Sequence, residues 1–512
     1  MNLGHHPSIH AERTPDKIAC IEAKTGACVS YRELDERSNQ TAQMFRAIGL
    51  QSGDHISIMC QNHSRFLELV WGAHRAGLYY TPISWHATAD EVSYIVEDAG
   101  SKAIFISSRF AGIAETVRSE GSECIAQFSM FNDIPGYLSY ESERSKHDVV
   151  PISDQTSGSD MLYTSGTTGK PKGVRFPLTG QPVDFADPNE LMFRAAGYDE
   201  DCVAMTLGPM YHASSLYTSL VTHRFGGVCI IVDKFDAADT LHFIETYAVS
   251  QLNCVPTHFI RMLKLPAEER ARFDVSSLNC VLHTAAPCPV DIKRAMIEWF
   301  GPVILEYYGG TEKVGGAMIN SQEWLKHPGS IGKPVGGAVQ VVDEATWKTL
   351  PPGEIGAIYF EHGAEFSYHN DAKKTQSVYS PEGWKTLGDI GYIDEDGYIY
   401  LTDRKSNMII SGGVNVYPQE AENRLVTHPK VQDAAVVGIP NRDFGEEVKA
   451  FIEPMDWEDT GPELEAELIK YCKEVLSSIK CPRSIDFERK LPRQDNGKLY
   501  KRLLKARYEA RK

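Results

Sequence analysis

Short β-branched apolar runs alternate with helix-period segments through most of this chain, and that alternation limits most tightly how it can fold. Residues 56–59, 103–106, 227–232 and 281–283 read as buried strands, while 34–48 and 91–99 carry helical spacing. Strands that alternate with helices predict layered α/β architecture built on parallel sheets. Residues 176–190 are a Pro/Asp-rich loop. From Ile355 the pattern changes to short strands and turns, with a hairpin turn at 394–397, Asp-Glu-Asp-Gly. A polar stretch at 403–406 then leads into a new strand–helix alternation. A chain of 512 residues exceeds one ordinary core. The expectation is a large N-terminal domain, 1–402, of layered α/β sheets plus small β-structure, and a small α+β domain, 403–512.

Composition narrows the function classes. With 42% apolar and 24% charged residues this is the make-up of a globular protein in water, and no apolar run is long enough for a membrane span. The N-terminal segment has no apolar core and does not read as a signal peptide. The 11 cysteines are scattered and form no CxxC pair, which suits a reduced cytoplasmic chain without a zinc site. A net charge of −17 argues against a nucleic-acid partner, although local Lys and Arg can still build a pocket for an anion.

The strongest local signal is residues 163–173, Tyr-Thr-Ser-Gly-Thr-Thr-Gly-Lys-Pro-Lys-Gly, which follow an apolar run. Gly166 and Gly169 free the backbone to turn, and successive amides can form an anion-holding nest. Thr164, Ser165, Thr167 and Thr168 add hydroxyls; Lys170 and Lys172 add charge. That set suits a polyphosphate. It is not a Walker loop, because Thr164 stands where the first glycine would be and Pro171 follows Lys170. A Gly/Thr-rich stretch without the hydroxyls and lysines would read as an ordinary surface loop.

This segment resembles the phosphate loop of the adenylate-forming superfamily: acyl-CoA synthetases, peptide-synthetase adenylation domains and luciferase. Other blocks of that family follow in its order and span nearly the whole chain. They are Tyr308-Gly309-Gly310-Thr311-Glu312, Gly388-Asp389, Asp403-Arg404, Ser411-Gly412-Gly413, and Pro492 with Gly497-Lys498. The resemblance implies ATP, Mg2+ and coenzyme A as cofactor and cosubstrates and a carboxylic acid as substrate. It also implies roles. Tyr308 offers a flat face to adenine, and Ala285, Ala286 and Gly309 border the nucleotide. Thr311 donates to the α-phosphate, and Glu312 is a hard oxygen ligand for Mg2+. Asp389 accepts the ribose hydroxyls, with Arg404 on the same side. His212, in Pro-Met-Tyr-His-Ala-Ser, orients or gates the acyl carboxylate; no base is needed, since the acid is ionised at pH 7. Lys498 stabilises the charge that builds as carboxylate attacks phosphorus. Tyr211, His212, Ala213, Ser214, Gly309, Gly310, Gly315 and Gly316 are the implied acyl pocket, and the small residues among them suggest room for a fatty, alicyclic or aromatic acid.

The implied reaction is two-step: acyl-adenylate formation with release of pyrophosphate, then displacement of AMP by a thiol. Lys498 would swing with a mobile small domain about a hinge at 403–406, pivoting at Ser406, where many relatives carry Asp or Lys. CoA is the favoured acceptor. No carrier domain follows Lys512, Gly412 and Gly413 let a pantetheine arm pass, Phe444 matches a CoA adenine stack, and Lys480 can meet CoA phosphates. Each of these also has a plain reading, Phe444 as a core aromatic and Lys480 as a solvated charge. Two rivals stay open: an adenylating enzyme with a carrier-protein or amine acceptor, and a nucleotide-binding relative without catalysis. A homodimer is an assembly open to such a chain.

Overall fold

The runs read as strands are strands: His55–Met59, Ser101–Ser107, Val228–Ile231 and Cys280–His283. A computed structural model describes residues 5–119, 124–164, 170–186, 190–493 and 497–509. The two helices begin earlier than their apolar spacing predicts, at Tyr31–Ala47 and Ala89–Asp98. The reason is capping. Ser30 and Glu33, and again Thr88 and Glu91, form reciprocal capping boxes that satisfy the first amides of each helix. A cap of this kind is worth about 1 kcal/mol, enough to draw polar first-turn residues into the helix.

The chain divides into two compact units, each gathered from separate segments. The first comprises Met1–Cys254, Ala271–Val281 and Ala364–Ser377. Its larger sheet runs in the order Ser367–Tyr368, Lys172–Arg175, Ser159–Thr164, Tyr79–Pro82, His55–Met59, Ser101–Ser107, Ala126–Met130, Leu138–Ser139. Its middle and far end are parallel, as predicted; the pairs made by Lys172–Arg175 are antiparallel. A second set of strands in this unit, Gln251–Cys254, Val203–Thr206, Val228–Ile231 and Ile18–Glu22, is also parallel. Parallel strands are buried on both faces, and His55–Met59 is buried at all five positions. Helices Tyr31–Ala47 and Ser64–Arg75 pack Phe45, Phe66 and Trp71 into the core beside the stacked rings of Phe105 and Phe128.

The second unit comprises Val255–Arg270, Leu282–Gly363 and Val378–Lys512. In it Ile304–Gly309 pairs antiparallel with Gly316–Asn320. A five-stranded antiparallel sheet runs Lys348–Thr349, Val339–Asp343, Gly356–Phe360, Asp389–Ile393, Ile399–Arg404. The last two strands flank the predicted turn, where the Asp394 carboxylate accepts from the amides of Asp396 and Tyr398 and Gly397 supplies φ +84. Beyond residue 408 a further sheet is built on the long hairpin Val431–Asn441 and Gly445–Pro454, with Ser484–Phe487 parallel to it. Helices Pro418–Val426 and Pro462–Lys473 cover its core of Val436, Ala450, Ile452, Leu425 and Leu468. The 11 cysteines are all free thiols, and no helix of the described residues is long and apolar enough to cross a membrane.

Candidate active site

In the second unit the block from Tyr308 to Glu312 starts at the end of a strand and runs into its turn. Tyr308 lies opposite Ala317 and Gly309 opposite Gly316. The glycines here are required by close approach. A Cβ on Gly309 would stand 2.7 Å from Tyr307 Oη, on Gly310 2.6 Å from Leu387, on Gly315 2.3 Å from the Phe360 ring and on Gly316 2.9 Å from the Tyr308 carbonyl. Close neighbours in the protein itself therefore account for much of their smallness.

Tyr308 stacks near Phe360, ring centroids 6.1 Å apart, and its hydroxyl donates to Asp389 Oδ2 at 2.5 Å. Asp389 and Arg404 are register partners on adjacent strands, and Arg404 Nε lies 3.3 Å from Asp389 Oδ1. One carboxylate oxygen thus faces the phenol and the other the guanidinium, leaving lone pairs for a diol. Burial pushes the Asp389 carboxyl up, while Arg404 and the Tyr308 hydroxyl pull it back. The half-buried Lys498 lies in the same field. Burial and then Arg404 push its ammonium down to about 8, with Glu312 and Asp389 acting the other way. Tyr308, Asp389 and Arg404 are thus in direct contact, and Glu312 and Lys498 lie within their electrostatic reach, the five drawn from four separate sequence blocks, with half-buried Thr311 next to Glu312 in the chain. Ala285 adopts φ +75, a left-handed conformation that costs a residue with a Cβ about 1–2 kcal/mol; its neighbour Ala286 is half-buried. Such strain is characteristic of ligand-contact positions.

The remaining predicted residues of the nucleotide and acyl sites belong to the first unit. Thr164 ends a strand and pairs with Lys172; Ser165, Gly166, Thr167, Thr168 and Gly169 lie outside the described residues. Lys170 is exposed, its ammonium 4.8 Å over the Tyr94 ring, whereas Lys172 is ion-paired with Asp371. Tyr211 packs between Trp85, edge-on at 4.7 Å, and His212 at 4.3 Å. His212 immediately precedes helix Ala213–Phe225, whose Ser214 hydroxyl accepts from Asn253 at 3.0 Å. The turn before it is braced by Asn62, buried at 2% exposure. Asn62 accepts from Met210 N at 2.7 Å and donates to the carbonyls of Gly208 and Val232 at 3.1 and 2.9 Å. Sequence reasoning missed Asn62, Trp85 and Asn253. An Asn just before a helix reads as a local cap, and nothing near it in sequence points to a partner 148 positions away.

Comparison with known proteins fits this geometry. The AMP-binding enzyme family matches residues 8–364, and the AMP-binding enzyme C-terminal domain matches 420–498. This chain belongs to the AMP-binding enzyme family. It is 27% identical to the fatty acid–[acyl-carrier-protein] ligase ScoC of Streptomyces coeruleorubidus, over 99% of this chain and 98% of that protein. It is 29% identical to the long-chain-fatty-acid–CoA ligase FadD13 of Mycobacterium tuberculosis, over 99% of both chains. The structure of ATP-bound MatB from Rhodopseudomonas palustris superposes with a TM-score of 0.81 at 27% identity, covering 98% of this chain and 99% of that one.

In this AMP-binding enzyme the C-terminal match ends on Lys498. Gly412 and Gly413 have φ +57 and +80, and the Gly412 amide donates to the Phe444 carbonyl at 2.8 Å. Phe444 is 38% exposed, and Arg483, which sequence reasoning did not single out, lies 4.0 Å over its ring. Lys480 is held by Glu420 at 2.7 Å. Ser406 is exposed in a short 3-10 turn, Lys405–Asn407, which the buried Asp403 braces by accepting from Asn407 and from the Gln419 amide.

Proposed function

We propose that this AMP-binding enzyme is an acid–thiol ligase that converts a hydrophobic carboxylic acid and ATP to an acyl-adenylate, then transfers the acyl group to coenzyme A. The observation that carries this reading is the grouping of Lys498 with Asp389, Arg404 and Glu312. Adenylation brings an anionic carboxylate against the α-phosphate and builds negative charge on the phosphoryl oxygens and the departing pyrophosphate. A pre-positioned ammonium stabilises that charge more in the transition state than in the ground state. Asp389 accepts from the ribose, Tyr308 lies against the adenine, and Thr311 donates to the phosphate. Glu312 would hold Mg2+, which supplies charge neutralisation on the phosphates. Thr164 and Lys170 flank the phosphate loop, and His212 orients the acid.

In this reading residues 1–402 and 403–512 act as large and small domains. Lys498 is inserted for the first step and withdrawn for the second by rotation about 403–406, which brings Gly412, Gly413 and Phe444 to the thiol. A second acceptor has support from the ScoC relative, whose name specifies a carrier protein. Both are tested by one screen: AMP release with fatty, aromatic and steroid carboxylates, with CoA or an acyl-carrier protein as acceptor. AMP release that depends on an acid and CoA supports the ligase. Release that needs the carrier protein transfers the assignment to that acceptor. Absence of pyrophosphate exchange with every acid defeats the adenylation reading itself.

A further inference from the structure

Helix Pro256–Leu263 meets the residue before Lys498 at one end and the start of strand Val431–Asn441 at the other. At its N-terminal end Gly497, with φ +82, lies so close that a Cβ there would stand 3.1 Å from Thr257 Oγ1 and from Val255 Cγ2. At its C-terminal end Lys264 donates to the carbonyl of Val431 and reaches that of Gln432 at 3.4 Å. The ladder of the long hairpin shifts register between Val431 and Asp433. Such an irregularity leaves a carbonyl outside the ladder, where it needs another donor. Asp433, the next residue, holds the Arg493 guanidinium at 2.6 and 2.7 Å. Arg493 in turn donates to the Gly497 carbonyl at 2.5 Å, one residue before Lys498.

We propose that Lys264 is a positioning residue for adenylation: its ammonium pins the irregular start of strand Val431–Asn441, and the Asp433–Arg493–Gly497 relay transmits that position to Lys498. The proposal rests on the adenylation reading above. Lys264 lies within the segment matched by the AMP-binding family, and Val431, Asp433, Arg493 and Gly497 lie within its C-terminal-domain match. A basic residue at a helix C-terminus ordinarily serves its own helix's last carbonyls. The Lys264 ammonium is instead directed to carbonyls 167 and 168 positions away. Its burial pushes it down to about 8, against the pull of Asp433 and Glu453. A desolvated ammonium is retained where its donors are used, since a flexible lysine would otherwise stay in water.

Lys264→Met keeps the apolar stem and removes the donors; Lys264→Arg restores them. The full-length protein is assayed in three ways: thermal melting, each half-reaction in single turnover, and hydrogen exchange at residues 497–500. The expected result for Lys264→Met is adenylation slowed roughly ten- to hundredfold, transfer to CoA from supplied acyl-adenylate unchanged, and faster exchange at 497–500. Lys264→Arg should recover the adenylation rate. Equal loss of both half-reactions, or a Lys264→Met enzyme that adenylates normally with unchanged exchange, overturns the proposal. Should Lys264→Met not fold, Lys264→Gln carries the same comparison. If the wild-type protein forms no adenylate, the functional reading fails, while the exchange comparison still decides the positioning role.

Discussion

At the residue scale the site depends on where charge sits. Lys498 is pushed down to about 8 by burial and by Arg404, so its ammonium is lost as pH rises through that value. Adenylation should therefore fall on the alkaline side of about pH 8, measured as pyrophosphate exchange. Lys498→Arg, which stays protonated, should abolish that limb even where its overall rate is low. Lys498→Ala should cut adenylation by about two orders of magnitude or more and leave transfer from supplied acyl-adenylate intact. Asp389 offers a different test, because its oxygens are shared between Tyr308, Arg404 and the proposed ribose. Asp389→Ala should weaken ATP binding and reduce the preference for ATP over 2′-deoxy-ATP. An unchanged preference would assign Asp389 to holding Tyr308 and Arg404 alone.

At the scale of elements, two short connections matter. Asn62 makes three hydrogen bonds that shape the turn into helix Ala213–Phe225, and with it the pose of His212. Asn62→Leu leaves the Met210 amide and the Gly208 and Val232 carbonyls without that partner. It should cost about 2–4 kcal/mol of stability, read by denaturant unfolding, and raise KM for the acid more than KM for ATP. The turn Lys405–Asn407 is the proposed pivot. Proline at Ser406 fixes φ and removes an amide, so a folded Ser406→Pro enzyme should keep one half-reaction and lose the other. Two intact single-turnover rates would move the bend elsewhere in 403–406.

The whole molecule carries a buried histidine group in its first unit. His6, His74 and His223 are 0, 5 and 0% exposed. The Trp71 indole donates to His223 Nδ1 at 3.1 Å, so His223 carries its proton on Nε2, facing the Ala19 carbonyl. Burial pushes all three below the ordinary 6.5, His223 to about 4. Below pH 6.5 the unfolded chain takes up protons that the folded chain refuses. Stability is thus complete above about 6.5 and declines as pH falls toward 4, at about 1.4 kcal/mol per pH unit for each histidine. Thermal melts between pH 7.5 and 4.5 should show this decline, and His223→Gln should lessen it by that one histidine's share.

Much of this was legible in the sequence because its causes are local. Apolar runs of the right period become strands and helices. Gly397, Gly412 and Gly413 are glycine because their backbones turn left-handed. The order of the blocks from Tyr308 to Lys498 is enough by itself to point to the family. What only the tertiary structure decided is which distant groups meet. Lys480 and Lys172 looked alike in sequence to Lys170 and Lys498, as cations for phosphate. Glu420, 60 positions from one, and Asp371, 199 positions from the other, hold the first two, and Lys498 lies instead within the field of Glu312 and Asp389. Gly309, Gly310 and Gly315, which read in sequence only as small pocket residues, are also crowded by Tyr307, Leu387 and Phe360. Backbone preference and hydrophobic period act over a few residues and are written along the chain. Charge pairing, orphan carbonyls and packing distance depend on which surfaces the finished fold brings together, and no stretch of sequence holds both halves of such a contact.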